Sequence, residues 1–183
     1  LGIHEGSQEL NLQFLIDYFT PPPTNKPRQQ QIITFDKVEL VNTVFRYFNK
    51  NYSPPTSRAF DENDMFFKEI NGHLHNFDII NDSLSFVIEN LSGTEKSGLQ
   101  IDRLTAKSTI SSTTMRFENL EFKTPKSYIK DYLEFNYSSY GDFSDFIDVV
   151  ALKATFKDAV IHTDDIALFS TNVATYNEQI KAS

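Results

Sequence analysis

Residues 83–91 read Ser83-Leu84-Ser85-Phe86-Val87-Ile88-Glu89-Asn90-Leu91. Leu84, Phe86 and Ile88 alternate with Ser85, Val87 and Glu89. Successive side chains on a strand point to opposite faces, so this run has one oily face and one wetter face. The same beat returns in Leu99 and Ile101, in Met115 and Phe117, and in Leu120 and Phe122. It returns again in Leu133, Phe135 and Tyr137, and in Leu152, Ala154 and Phe156. A sheet built from such strands must hide one whole side, and what it hides that side against is the functional question.

Composition sets the outer bounds. The chain has 183 residues, a length suited to one domain or to a slice of something longer. It begins at Leu1 without an initiator methionine, so it is expected to be a piece of a longer protein. No stretch approaches the roughly 18 consecutive apolar residues of a spanning helix. The net charge of -8 argues against nucleic acid as a partner, because phosphate binding needs clustered Lys and Arg. The absence of cysteine excludes a disulfide scaffold, a thiolate metal site and a cysteine nucleophile. Seventeen Phe and 8 Tyr against no Trp and 2 Met suit a pleated surface.

Along the chain, residues 9–19 place Leu12, Leu15, Ile16 and Phe19 at helical spacing. Pro21, Pro22 and Pro23 end that helix, and residues 1–31 are expected to form a short amphipathic helix and a proline-rich loop. Residues 31–48 are strand-like, with a phase break at Asp36-Lys37. A second loop is expected from Asn49 to Asp64. From Met65 the chain reads as a meander. Asn71-Gly72 marks either a hairpin turn or a bulge in one long strand. Turns are expected at Asn81-Asp82, Ser92–Ser97, Ser111–Thr114 and Thr124-Pro125. Spacing predicts a short helix over 142–150, a last strand from Val150 to Ile161, and a helix capped by Thr163-Asp164-Asp165. Residues 32–170 thus form one antiparallel β unit, and 171–183 a polar, frayed tail. The tripeptide Glu-Asn-Leu occurs at 89–91 and at 118–120, each time at the end of an alternating strand, which hints at serial β architecture.

Several segments resemble the TamB/AsmA-like family of envelope proteins, in particular its Bacteroidetes-type members. They are the opening LNLQFLIDYF with its proline-rich break, ITFDKVELVNTVFRYF, TEKSGLQIDRLTAKSTIS, FENLEFKTPKSYIKDYLEFNY and DFSDFIDVVALKATFKDAVIHTDDIALF. The resemblance covers about Leu10 to Phe169 as a string of degenerate strand motifs. It implies a mainly β fold, an antiparallel meander curled into an open U-shaped groove (a β-taco) with two or three short helices. It implies a non-enzymatic structural and lipid-conducting role in outer-membrane biogenesis. Phospholipid acyl chains would be the cargo, and an Omp85-type outer-membrane protein and the flanking strands of the full-length chain would be partners. It also implies a periplasmic location, within a protein anchored in the inner membrane. The groove lining would be Leu84, Phe86, Ile88, Leu99, Ile101, Met115, Phe117, Leu120, Phe122, Leu133, Phe135, Leu152 and Phe156. No cofactor is implied.

Bland readings stand beside this one. Alternating strands also build closed β-sandwiches, whose apolar faces bury each other, as in a secreted binding or adhesion module. His73 and His75 share one strand face, but a third metal ligand would have to come from a distant residue such as Asp78 or His162. Asp142, Asp145, Asp148, Asp164 and Asp165 lack EF-hand spacing and read as helix caps and solvated faces. Glu118 and Glu121 lack a pocket signature for glycoside hydrolysis. Lys96 and Arg103 read as solvated. Nucleophile-elbow, Walker A and dinucleotide-binding motifs are missing from the sequence.

Overall fold

The computed structural model describes residues 2–3, 33–52, 59–61, 63–80, 83–139, 142, 149–169 and 178–182. Their strands are β1 (Gly2–Ile3), β2 (Ile33–Asn49), β3 (Asp64–Ile80), β4 (Ser83–Glu95), β5 (Gln100–Ile110), β6 (Thr114–Lys123) and β7 (Tyr128–Asn136). Three shorter strands follow: β8 (Ala151–Thr155), β9 (Ala159–His162) and β10 (Gln179–Ala182). All belong to one 10-stranded sheet in the order β1-β2-β3-β4-β5-β6-β7-β9-β10, with β8 beside β7. Every pairing is antiparallel except β1 with β2, and the sheet is open, not closed into a barrel. The one helix among the described residues, α1 (Thr163–Ala167), sits between β9 and β10. Strand length falls from 17 residues in β2 and β3 through 13, 11, 10 and 9 in β4 to β7, then to 5 in β8 and 4 in β9 and β10.

Among the described elements, the strands pack chiefly against their sheet neighbours, with α1 on β9, and Phe60, ahead of β3, donates its N–H to the Leu168 carbonyl at 2.7 Å and lies 5.2 Å from the Phe169 ring. The largest fully buried side chains are Glu95, Thr124 and Ser108, and no described phenylalanine is fully buried. A closed sandwich interlocks its large rings between two layers. These rings stand on a single layer.

A line of bulges crosses the sheet. The extra residues fall between Leu40 and Thr43 in β2, between Lys68 and Asn71 in β3, between Ile88 and Leu91 in β4, and between Glu118 and Glu121 in β6, while β5 runs regularly from Leu104 to Ile110. Asn42, Asn90 and Asn119 take left-handed backbone angles there, with φ of 46°, 53° and 52°. Asparagine tolerates that conformation better than other residues with a Cβ. The repeated Glu-Asn-Leu is therefore a repeated bulge. It also keeps one face apolar: Ile88 opposes Ala106 and Leu91 opposes Leu104, so a step of three residues leaves both leucine and isoleucine on the same side.

Asn71-Gly72 is part of this line. Residues 64–80 form one continuous strand, so no hairpin forms there, and the bulge of β3 sits at Glu69, with φ of 55°, two residues before Asn71. Gly72 has φ of +149°, and a Cβ there would lie 2.7 Å from Leu91 Cα, which makes the position one for glycine alone.

Other boundaries differ from expectation. The phase break expected at Asp36-Lys37 has its counterpart in β3, where Asn76, at φ 55°, marks a register shift between His75 and Asp78 beside the pair Lys37↔His75, and Asn42 adds a second break in β2. Ser92, Gly93 and Thr94 continue β4, and the chain turns at Lys96–Gly98, where Glu95 accepts the Gly98 N–H at 2.9 Å. The last long strand is broken into β8 and β9, with Asp158 at φ 54° in the break. His162, not Thr163, caps α1: its Nδ1 accepts the Asp164 N–H at 3.2 Å. The tail is not wholly frayed, because β10 pairs with β9 from Gln179↔His162 to Ala182↔Ala159. The helix expected over 9–19, its proline loop, and most of the helix over 142–150 lie outside the described residues.

Asn119→Val is expected to destabilise the fold by about 1–2 kcal/mol, because a β-branched residue resists the left-handed region. Asn119→Gly is expected to stay within about 1 kcal/mol of the parent. Urea unfolding of both variants checks this, and equal losses would count against the bulge as the reason for asparagine.

Candidate functional site

Directly opposed residues in an antiparallel pair share a face. Tracing opposed pairs across the sheet gives a row Ile79–Leu84–Ile110–Met115–Phe135–Leu152, from β3 to β8. The next row on that face is Phe86–Ser108–Phe117–Leu133–Ala154. Beyond the bulges comes Leu91–Leu104–Phe122–Ile129. Phe77 stacks on Phe86 at 5.6 Å between centroids, and Phe117 meets Phe135 edge-on at 6.5 Å. The bulges bring both halves of each strand into this one apolar surface.

The expected lining residues fall as follows. Leu84, Phe86, Ile88, Met115, Phe117, Leu120, Phe122, Leu133, Phe135 and Leu152 share the apolar face through these registers. Ile101 joins them by opposing Gly93, which alternates with Leu91. Leu99 is buried in the turn before β5, and Phe156 follows β8. The sequence reading missed Leu74, Leu91, Leu104, Ile110 and Ile129, whose membership depends on register and bulge position. Leu74 opposes Ile88, for example.

Burial across this face is graded. Ile88 and Leu120 are 5% and 4% exposed at the centre, while Leu152 near the short-stranded end is 58% exposed. The small Ala106 and Ser108 are covered by larger neighbours, Ser108 standing in register between Phe86 and Phe117. Its hydroxyl has no hydrogen-bond partner. Most of the remaining lining is half-buried.

The opposite face is charged and laced across strands. Arg116 donates from Nε to Glu134 Oε2 at 2.8 Å, Arg103 pairs with Glu121 at 3.3 Å, and Lys107 with Glu118 at 3.9 Å. Arg103 is thus an ion-pair partner, as is Lys96, which meets Asp64 at 2.7 Å, so neither is simply solvated. Glu118 and Glu121 are engaged by cations from β5. His73 and His75 sit beside Glu39 and Glu89, at 3.4 and 3.8 Å. Among the described residues no group of three His, Asp or Glu converges as a metal site would require. Such pairs each contribute about 0.2–1 kcal/mol, and together they fix the register of the polar side.

Two polar clusters anchor the ends. Glu95 is 1% exposed, and its carboxylate accepts the Phe66 N–H at 2.9 Å and the Ser97 N–H at 2.7 Å, tying β3 to the β4–β5 turn. Asp165, in the first turn of α1, accepts from the Thr124 hydroxyl at 2.6 Å and from the Ser127 hydroxyl. Lys126 pairs with Asp164, whose carboxyl is held below its ordinary range by that bond. These bonds fasten α1 to the β6–β7 turn.

No helix among the described residues is long and apolar enough to cross a membrane. Comparison with family models, curated proteins and solved structures finds no match to this chain.

The Tyr132 hydroxyl, the Arg116 guanidinium and the Asn136 amide all donate to Glu134 and hold its carboxyl down, from an ordinary 4.5 to about 2. A depressed carboxyl stabilises the fold above its unfolded-state value, and that contribution drains away as pH falls toward the folded-state value. Glu134→Gln is therefore expected to lower the urea midpoint near pH 7, with the gap to the parent closing as pH drops through about 4.5 toward about 2. A gap that stays constant across that window would remove ionisation of Glu134 from the account.

Proposed function

We propose that the apolar face carries the acyl chains of phospholipids, as a segment of a lipid-conducting envelope protein of the TamB/AsmA-like type. One observation carries the reading: the row Ile79–Leu84–Ile110–Met115–Phe135–Leu152 crosses β3 to β8 without a polar residue, on a sheet that no second described layer covers, although Ser108 and Asp131 interrupt the rows beyond it. Each CH₂ removed from water is worth about 0.8 kcal/mol, so two chains of about 16 carbons need very roughly 25 kcal/mol of shielding. A long face of Phe, Leu and Ile spreads that shielding over a path, and a mobile guest needs no fixed charged site along it.

Further support comes from shape. Bulges bend and twist the strands that bear them, and a line of them on β2, β3, β4 and β6 favours a sheet curled about its apolar side. Near-complete burial of Ile88 and Leu120 beside half-exposed neighbours fits the floor of such a trough. In this reading the U-shaped groove lies in a periplasmic segment of an inner-membrane-anchored protein. Lipid supply there supports assembly of outer-membrane barrels with an Omp85-type partner. Head groups ride at the lips, in water. The closed adhesion module finds no favouring observation.

Solvent extraction of the purified chain, followed by mass spectrometry, is expected to release phospholipid. Phe117→Glu puts a charge on the apolar face and is expected to cut bound lipid roughly tenfold or more, with the sheet retained by circular dichroism. Glu118→Gln, on the charged face, is expected to leave bound lipid unchanged. Lipid-free parent protein, or a Phe117→Glu chain that merely unfolds, would refute the conduit.

A further inference from the structure

Asp131 places a carboxylate on the apolar face. In β7, Lys130 and Tyr132 oppose Glu121 and Glu118 on the charged side, while Ile129 and Leu133 oppose Phe122 and Phe117 on the apolar side. Asp131 alternates with Lys130 and Tyr132 and opposes Leu120, which is 4% exposed at the centre of the apolar face. Its Oδ2 is buried and takes no hydrogen bond. The residue as a whole is half-buried, and rotation about its Cβ–Cγ bond turns either oxygen toward a guest on that face.

Backbone geometry singles out the same residue. Asn42, Glu69, Asn76, Asn90, Asn119 and Asp158 have φ between 46° and 55°, and all of them are exposed. Asp131 has φ of 90° and is not exposed. Strain of this kind collects where a side chain has a task beyond packing. Glycine or asparagine would tolerate the angle without bringing a charge onto hydrocarbon. Pairing also breaks here. β7 holds β8 from Tyr132 to Asn136 and β9 at Tyr128, so the flank of residues 129–131 carries no described strand. Ser108, also polar on this face, is 0% exposed and out of a guest's reach.

A carboxylate with an idle oxygen is answered by a hydrogen-bond donor, and the bond is strongest where water is excluded. Asp131 lies inward of Tyr128, the first residue of β7, by roughly 10 Å at the rise of a strand. Head-group ammonium ions stay hydrated at the lips. The neck of a diacylglycerol lipid offers only ester carbonyls, which are acceptors and gain nothing from a carboxylate. We infer that Asp131 recognises amphiphiles whose hydrocarbon part bears a donor, an amide N–H or a hydroxyl a few bonds below the head group. This rests on the acyl-chain reading of the apolar face and names the class of guest that face favours.

A matched pair of lipids tests it. Sphingomyelin and phosphatidylcholine share a head group without donors, and sphingomyelin adds an amide N–H and a hydroxyl at its neck. The purified chain, incubated with vesicles holding equal amounts of the two with matched acyl chains, is re-isolated and its lipid weighed by mass spectrometry. The parent is expected to favour sphingomyelin about fivefold or more. Asp131→Gly removes the carboxylate at an angle glycine adopts freely, and is expected to bring the ratio within about twofold of unity with total lipid unchanged. Asp131→Asn keeps the shape and the tolerance of positive φ without the charge, and is expected to lose at least about half of the preference. A parent without preference overturns the inference, as does either variant that folds and keeps the parent's full preference. In a second pair, phosphatidylethanolamine against phosphatidylcholine, equal uptake is expected. Enrichment of phosphatidylethanolamine without enrichment of sphingomyelin would put the donor on the head group and overturn the assignment. Lipid bound without preference removes the recognition point and leaves the conduit standing, whereas no lipid of any kind removes both.

Discussion

A pleated strand turns its side chains over at every residue, and any inserted residue reverses the sides. A strand of 17 residues that carries an insertion keeps one apolar face only if its sequence reverses at the same point. This chain satisfies that condition strand after strand. In β4 the run Leu84, Phe86, Ile88 steps by three to Leu91, and in β6 Met115, Phe117 steps by three to Leu120. The sidedness of the whole sheet, and everything proposed for either side, follows from this matching.

The two sides are held by different forces. On one, hydrocarbon rows gain from leaving water but gain incompletely, because no second described layer closes over them. On the other, cross-strand ion pairs and the Glu134 hydrogen-bond centre give specificity of register more than net stability. The carboxylates of Glu95 and Asp165 each accept two hydrogen bonds, and each ties a turn to a neighbouring element. Stability is thus distributed along hairpins instead of concentrated in a core.

Much of this was legible in the chain. The strand order, the meander and most of the apolar lining follow from two-residue alternation and turn residues. The Glu-Asn-Leu repeat was visible as an echo, but its meaning as a left-handed bulge required backbone angles. Alternation alone also loses residues across a bulge, which is why Leu91, Leu104 and Ile129 escaped. Boundaries drifted where polar strand ends resemble turns, as at Ser92–Thr94, or where a strand is broken, as at Asp158. Cross-strand partners such as Arg103 and Glu121 are 18 residues apart in sequence, and register alone identifies them.

Because β2 to β7 each join the strand just completed, every closure in that stretch spans only one hairpin. Loop-closure entropy stays small and contact order low for an all-β chain. Such a sheet can grow in order of synthesis, from its widest strands toward its narrowest, without waiting for a distant segment to arrive. Its kinetics should therefore resemble those of a zipper more than those of a Greek-key sandwich.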